Sequence, residues 1–356
     1  MDKKAFGLSQ GWIVPTLIAL ISGCATTNKV QFVETVRLEV TQTTTKEGAQ
    51  VVVTERKIEK AETNVIEQSN NVKTVTKITG YDVKDKDKTT IGRFDLSPDG
   101  SRIVMAVLRE SNGSFSSQLW SIGKDGGAAT KITEGNYKDM DPSYSRSGKH
   151  IYFVTNRGDT RFKIWRIQSS GVGGLTKVSS GSTVDRVPSE SPDSERLTYQ
   201  SLMDGDERWQ VWSSATTGAL PTQMTLGASP VYSPDGSKIL YLKADESNGK
   251  RHIWFMDADG SNRTQLTDGD NDEETATWSP NGKQIIYSSN AGHDVSGKKN
   301  FDIYSMNIDG TGKTQLTTNG SVDIQPVMDT AGKHIYFLSN RGGAWNIWRM
   351  ELVAMP

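Results

Sequence analysis

Cysteine is almost missing from this chain: Cys24 is the single copy in 356 residues. An intramolecular disulfide is therefore excluded. Histidine is nearly as scarce, with 4 copies, which leaves little material for a histidine-rich metal site. No charge of either sign dominates, since 41 Lys and Arg stand against 42 Asp and Glu for a formal net charge of -1. A nucleic-acid partner would call for a concentrated basic face, so none is expected. A long apolar run is also lacking: the stretch from Trp12 to Ile21 is too short to span a bilayer as a helix. What remains is ordinary globular material, with 34% hydrophobic residues and 34 glycines.

The position of Cys24 gives it a reading. Met1-Asp2-Lys3-Lys4 opens a basic start, the short apolar run follows, and Ile21-Ser22-Gly23 places small residues just before the cysteine. This is the layout of a secretory signal. Ending on Ile-Ser-Gly-Cys, it resembles a bacterial lipoprotein signal, which implies cleavage before Cys24 and acylation of that residue. Each buried methylene contributes about 0.8 kcal/mol, so several acyl chains would form a nearly permanent anchor. Ala25 rather than Asp follows the cysteine, which resembles sorting to the outer membrane. The expected division is a signal peptide over 1–23, a lipid-anchored tether or small β segment over 24–72, and one repeat domain over 73–356.

A turn motif recurs through that last region. It reads Ser97-Pro98-Asp99-Gly100, Ser145-Arg146-Ser147-Gly148, Ser191-Pro192-Asp193-Ser194, Ser233-Pro234-Asp235-Gly236 and Ser279-Pro280-Asn281-Gly282, with a degraded copy, Met328-Asp329-Thr330-Ala331-Gly332. Successive turn serines are 48, 46, 42 and 46 residues apart, and Met328 follows after 49. Proline presets φ at the second position of a type I turn, Asp or Asn suits the third, and Gly the fourth. Each turn precedes a β-branched or aromatic run such as Ile151-Tyr152-Phe153-Val154 or Ile335-Tyr336-Phe337-Leu338; only Leu197-Thr198-Tyr199 is thin. A second strand then carries an aromatic at one register in every copy: Trp120, Trp165, Trp212, Trp254, Tyr304 and Trp348. A further turn and a short strand such as Gln265-Leu266-Thr267 complete the unit. Four short strands per repeat predict an all-β fold, a six-bladed β-propeller with four-stranded blades. The last copy lacks its Gln-Leu-Thr strand, and Val75-Thr76-Lys77-Ile78-Thr79 reads as the missing piece, closing the ring from the N-terminal side.

Taken together, Ser-Pro-Asp-Gly, the Ile-x-Tyr strand, Asn-Arg-Gly, Ile-Trp and Gln-Leu-Thr resemble the WD40-like repeats of TolB-like six-bladed propellers, over residues from about 73 to 352. TolB itself carries a larger mixed α/β domain ahead of its propeller, where this chain has a short β-rich segment. The resemblance implies a non-catalytic role in the cell envelope, with a protein or peptide partner such as a peptidoglycan-associated lipoprotein.

Candidate site residues follow from the blade layout. The loops between second and third strands and the connections between blades share one face, here termed the mouth. They carry Asn156, Arg157, Asn340 and Arg341, with Asp139, Asp141, Asp185, Asp272, Glu274 and Asp323 at the blade junctions. Alternating carboxylates and guanidiniums could grip a partner through charge-assisted bonds; equally, repeated acids could cap turns between blades. Phe162, Trp209, Phe301 and Trp345 open the third strands in four blades, where they could stack on a ligand or pack between blades. His293, beside Asp294, sits in an insertion over 291–300 and is not by itself a metal site. The acidic run from Asp268 to Glu274 begins like a calcium loop, but lacks the glycine at its sixth position and has Ser279 where a bidentate Glu is needed, so it reads as a solvated junction. Gly7-Leu8-Ser9-Gln10-Gly11 matches a nucleophile elbow but lies within the signal peptide.

No catalytic residue, metal or cofactor is nominated. The expectation is a monomeric scaffold, anchored to the outer membrane through acylated Cys24 and facing the periplasm, that engages an envelope protein or peptide. The competing reading is a polysaccharide-active or glycan-binding propeller, since some related six-bladed folds are sugar lyases.

Overall fold

The computed structural model describes residues 38–45, 48–55, 71–81, 89–111, 114–292 and 299–353. Cys24 with its signal, the Gly7–Gly11 motif and His293 lie outside the described residues. Ahead of the repeats, Leu38–Thr45 and Gly48–Glu55 pair antiparallel as a hairpin.

Six four-stranded antiparallel sheets follow. Blade 1 comprises Thr90–Leu96, Arg102–Ser111, Ser114–Gly123 and Gly126–Lys131; blade 2, Met140–Tyr144, His150–Thr155, Lys163–Gln168 and Thr176–Lys177. Blade 3 comprises Val184–Glu190, Arg196–Leu202, Gln210–Ala215 and Thr222–Leu226; blade 4, Ala228–Tyr232, Lys238–Ala244, Arg251–Asp257 and Thr264–Gln265. Blade 5 comprises Glu273–Trp278, Gln284–Ser289, Asp302–Asn307 and Thr314–Gln315. Blade 6 takes Asp323–Met328, His334–Ser339 and Asn346–Leu352, and its outer strand is Val72–Lys77. Trp348 lies opposite Lys77 and Met350 opposite Val75 across this seam. First strands of successive blades touch all the way round, the sixth against the first, so the ring is closed about an axis that these strands line.

The turns account for the regularity. Ser97 Oγ donates to Asp99 Oδ1 at 2.6 Å, and the same Asp99 oxygen accepts the Ser101 amide at 3.0 Å. The Ser97 hydroxyl and the Ser101 amide and hydroxyl hold the Asp99 carboxyl down to about 2. The fourth residue must turn left-handed: φ is 68° at Gly100, 69° at Gly148, 75° at Gly236 and 68° at Gly282. Blade 3 places Ser194 there with φ 61°, tolerating the conformation without glycine. The structure also shifts the reading of the degraded copy by one residue. Asp329, not Met328, stands in the serine's place: Asp329 N donates to His334 O and Gly332 N to Asp329 O, as Ser145 N donates to His150 O and Gly148 N to Ser145 O. The thin third copy nonetheless forms a full strand, Arg196–Leu202, because cross-strand pairing with Gln210–Ala215 supplies what its composition lacks.

Each aromatic at the fixed register sits between a large side chain of the second strand and a Lys or Gln of the outer one. Trp120 faces Met105 and Lys131, Trp165 faces Phe153 and Lys177, and Trp254 faces Tyr241 and Gln265. The interior is built from second and third strands, where Ile103, Ile151, Ile164, Ile239, Ile285 and Ile335 are fully buried. Each such side chain contributes roughly 1.5–3 kcal/mol by leaving water.

Candidate functional site: the mouth and throat of the propeller

Three of the acids read from the sequence at the blade junctions, Asp139, Asp185 and Asp323, are buried in the joints. Asp139 is fully buried; Arg157 Nη2 donates to its Oδ2 at 2.5 Å and Thr155 Oγ1 to its Oδ1 at 2.6 Å. In blade 3, Asp185 accepts from Lys163 Nζ at 3.1 Å and from the hydroxyls of Ser179, Thr183 and Ser201 at 2.7 Å each. Lys163 itself comes from blade 2 and is fully buried. In blade 5 the same register holds Glu273, which faces His252 Nδ1 at 3.1 Å and accepts from Thr267 at 2.8 Å and Ser289 at 3.1 Å. Burial pushes the Glu273 carboxyl up, against the pull of those donors. In blade 6, Asp323 pairs with Arg341 at 2.6 Å and accepts from Asn319 at 2.9 Å.

One design recurs: a Ser or Thr ending one blade and an acid opening the next. Ser179 and Thr267 accept the third-strand amides of Ile164 and Ile253, and donate to the acids Asp185 and Glu273 of the following blade. The acidic run at 268–274 is thus only partly solvated, since Glu273 is a joint residue and Asp272 pairs with Arg251 at 2.8 Å. Asn156 and Asn340 use their Oδ1 atoms to accept the amides of Lys138 and Val322 at 3.0 and 2.9 Å, fixing loops rather than offering an open amide. Trp345 packs on the blade 1 and 6 core, and Phe162 on that of blades 2 and 3. Trp209 is half-buried, its carbonyl accepting the Gly227 amide at 2.9 Å. Asp139, Asp185 and Asp323 are therefore each held with a cation in a separate joint, and not around one shared surface.

A different set converges on the axis. Every first strand carries a bulge near its mouth end, as between Met140 and Ser143 or Arg186 and Ser189. Asp141, Val187, Ser229 and Gln325 occupy one position of that bulge with φ of 48°, 53°, 51° and 59°. Left-handed backbone is costly for such residues, above all β-branched Val187, and bulges re-aim side chains. Arg186 grips Asp141 in a fork, Nε to Oδ2 at 2.8 Å and Nη2 to Oδ1 at 3.0 Å. Arg93 of blade 1 approaches Asp141 at 3.9 Å and reaches Ser229 of blade 4, directly across the ring, at 3.2 Å. Burial lowers the Arg93 pKa while Asp141 pulls it back; burial also opposes the Arg186 charge, and there Asp141 prevails and raises it. Of the sequence-named residues only Asp141 and Glu274 belong to this throat. Arg93 and Arg186 had no visible signal, because they recur in no repeat and only the bulge turns them inward.

Blade 1 adds a second unforeseen feature. Its second and third strands are each ten residues long, against six or seven elsewhere, and stay paired out to Ser111 opposite Ser114. At about 3.4 Å per residue, the extra turns of strand raise this hairpin roughly 10 Å over the mouth. Phe115 on it is 37% exposed with Lys138 Nζ 5.6 Å from its ring centroid; Tyr137 is 39% exposed with the Arg157 guanidinium 4.3 Å above it. Met203 is exposed on the blade 3 loop of the same face.

Four-stranded blades, a closed ring and an axial throat define the class as six-bladed β-propellers. Residues 170–296 match the TolB beta propeller domain family. An uncharacterised protein of Agrobacterium fabrum is 27% identical over 105 residues, 30% of this chain and 34% of its own, so the chain spans about a third of that relative. TolB from Acinetobacter baumannii shares the fold with a TM-score of 0.53 at 19% identity, over 71% of this chain and 64% of that one. An oligogalacturonate lyase from Vibrio parahaemolyticus does so with a TM-score of 0.55 at 12% identity, over 81% of this chain and 96% of that one. The chain is thus a six-bladed β-propeller in which residues 170–296 are similar to the TolB beta propeller domain.

Proposed function

We infer that the protein is a non-catalytic binding module of the cell envelope, anchored to the outer membrane through acylated Cys24, whose mouth engages an envelope protein or peptide. The observation that carries this reading is the raised blade 1 hairpin. It carries exposed Phe115, with Lys138 beside it, on the same face as the Tyr137–Arg157 stack and the throat side chains Arg93, Arg186 and Glu274. Exposed aromatics beside arginines are the side chains that anchor protein interfaces. The paired junction charges hold the blades in place and leave the non-repeating residues to select a partner. A peptidoglycan-associated lipoprotein is the partner class that the TolB likeness suggests. The throat's guanidiniums are equally suited to a uronate, which is the form a polysaccharide-active reading would take.

Affinity capture from solubilised envelopes tests this with the double variant Phe115→Asp, Lys138→Glu. Both side chains are outside the core, so the fold persists, which circular dichroism checks. Loss of the captured partner supports the mouth. Full recovery counts against it, and turnover of oligogalacturonate by the unaltered protein would replace the binding reading with an enzymatic one.

A further inference from the structure

The opposite face of the ring has its own unexplained features. There lie the turns between first and second strands and those between third and outer strands. On it Val172 is 75% exposed and Leu175 43% in the blade 2 turn, and Leu220 is 81% exposed in the blade 3 turn. Leu220 follows a turn in which Gly218 backs so closely on the Val178 carbonyl that a Cβ there would collide with it, which sets the blade 3 turn beside blade 2, the blade that carries Val172 and Leu175. Val353, 61% exposed, ends the third strand of blade 6, directly opposite blade 3.

The chain enters the propeller on this same face. The outer strand of blade 6 runs from Val72 to Lys77 antiparallel to Asn346–Leu352, so Val72 lies opposite Leu352, at the end away from the mouth. The Val353 amide donates to Asn71 O at 3.0 Å, which fixes the entry point beside Val353. The chain that leads from Cys24 therefore joins the ring at Asn71, on the turn face.

We propose that this turn face rests on the lipid surface, with Val172, Leu175, Leu220 and Val353 seated among the headgroups and the mouth directed away from the membrane. The inference rests on the acylation of Cys24 proposed above. Exposed aliphatic side chains scattered singly on a surface mean little. Here they stand at two opposite edges of the face from which the tether leaves. A tether of this kind holds the ring at high local concentration over the bilayer, so shallow insertion at two edges suffices to orient it. The mouth, with Phe115 and Tyr137, then faces partners across the periplasm.

The test uses the acylated full-length protein reconstituted in phosphatidylethanolamine–phosphatidylglycerol vesicles containing brominated lipid. Because Cys24 is the only native cysteine and is blocked by acylation, Leu220→Cys, Val172→Cys and Phe115→Cys each offer one thiol for a fluorophore. The expected result is severalfold stronger quenching at 220 and 172 than at 115, and loss of that difference when Val172 and Leu175 are both changed to Asp in the Leu220→Cys background. Equal quenching at all three sites, none at any, or stronger quenching at 115 would overturn the orientation. Mass spectrometry of the protein and its flotation with vesicles report acylation separately, so a missing anchor is told apart from a wrong face.

Discussion

Replacing Lys163 by Met asks whether the joints are structural in the sense described. Lys163 is fully buried and Asp185 is 2% exposed, with Nζ 3.1 Å from Oδ2 and a further bond to the Thr183 carbonyl. Methionine keeps most of the stem volume and removes the charge. Asp185 then retains three hydroxyl donors but no counter-charge in a dry joint. Breaking one side of a buried pair typically costs 3–5 kcal/mol, and the surviving hydroxyls place this case at the lower end, about 3 kcal/mol. The second variant, Asp185→Asn alone, strands the lysine instead, and the double variant Lys163→Met, Asp185→Asn removes both charges. Urea unfolding followed by tryptophan fluorescence gives the cycle. The double variant should lose about 1–2 kcal/mol, well under the sum of the singles. A Lys163→Met loss below about 1 kcal/mol, or strict additivity, would refute the claim that the joint charges stabilise the blade interface.

Three further outcomes are expected. Asp95 accepts the Leu96 and Tyr144 amides at 2.9 and 2.8 Å, yet burial pushes its carboxyl up to about 6 from 3.8. The folded state then holds this proton more tightly than the unfolded one, so stability falls as pH rises from about 4 to 6 and levels off above, by roughly 3 kcal/mol in all. Wild type minus Asp95→Asn should trace that slope in urea titrations across this range, and parallel profiles would contradict it. Val75→Asp puts an unpaired carboxylate in the closure seam and should cost about 3–5 kcal/mol, with amide exchange rising first in Asn346–Leu352; exchange rising evenly over all blades would count against closure by this strand. Phe115→Ala should weaken partner binding by about 1–2 kcal/mol in calorimetry without changing unfolding.

The fold was legible because it is repetitive. Six turn motifs and six aromatics in register are each weak, but their common spacing admits four strands per unit and little else. The error of one residue at Met328 arose where the serine gave way to Asp329, whose side chain accepts the Lys333 and His334 amides at 2.8 and 3.1 Å and so does the serine's work. The site was less legible. Asp139, Asp185 and Asp323 stand out in the sequence because they recur, and recurring residues belong to the joints. Arg93 and Arg186 meet Asp141 only through a local bulge, and blade 1's hairpin differs from its neighbours only in length. Neither a bulge nor an overlong strand leaves a residue signature that spacing can detect.

The most direct measurement of the binding account is site-specific photo-crosslinking in intact cells, with a photoreactive residue at Phe115 or at Leu220. The account predicts a discrete protein adduct from position 115 and none from position 220, which would react with lipid. A protein adduct from position 220 with none from 115 would contradict it.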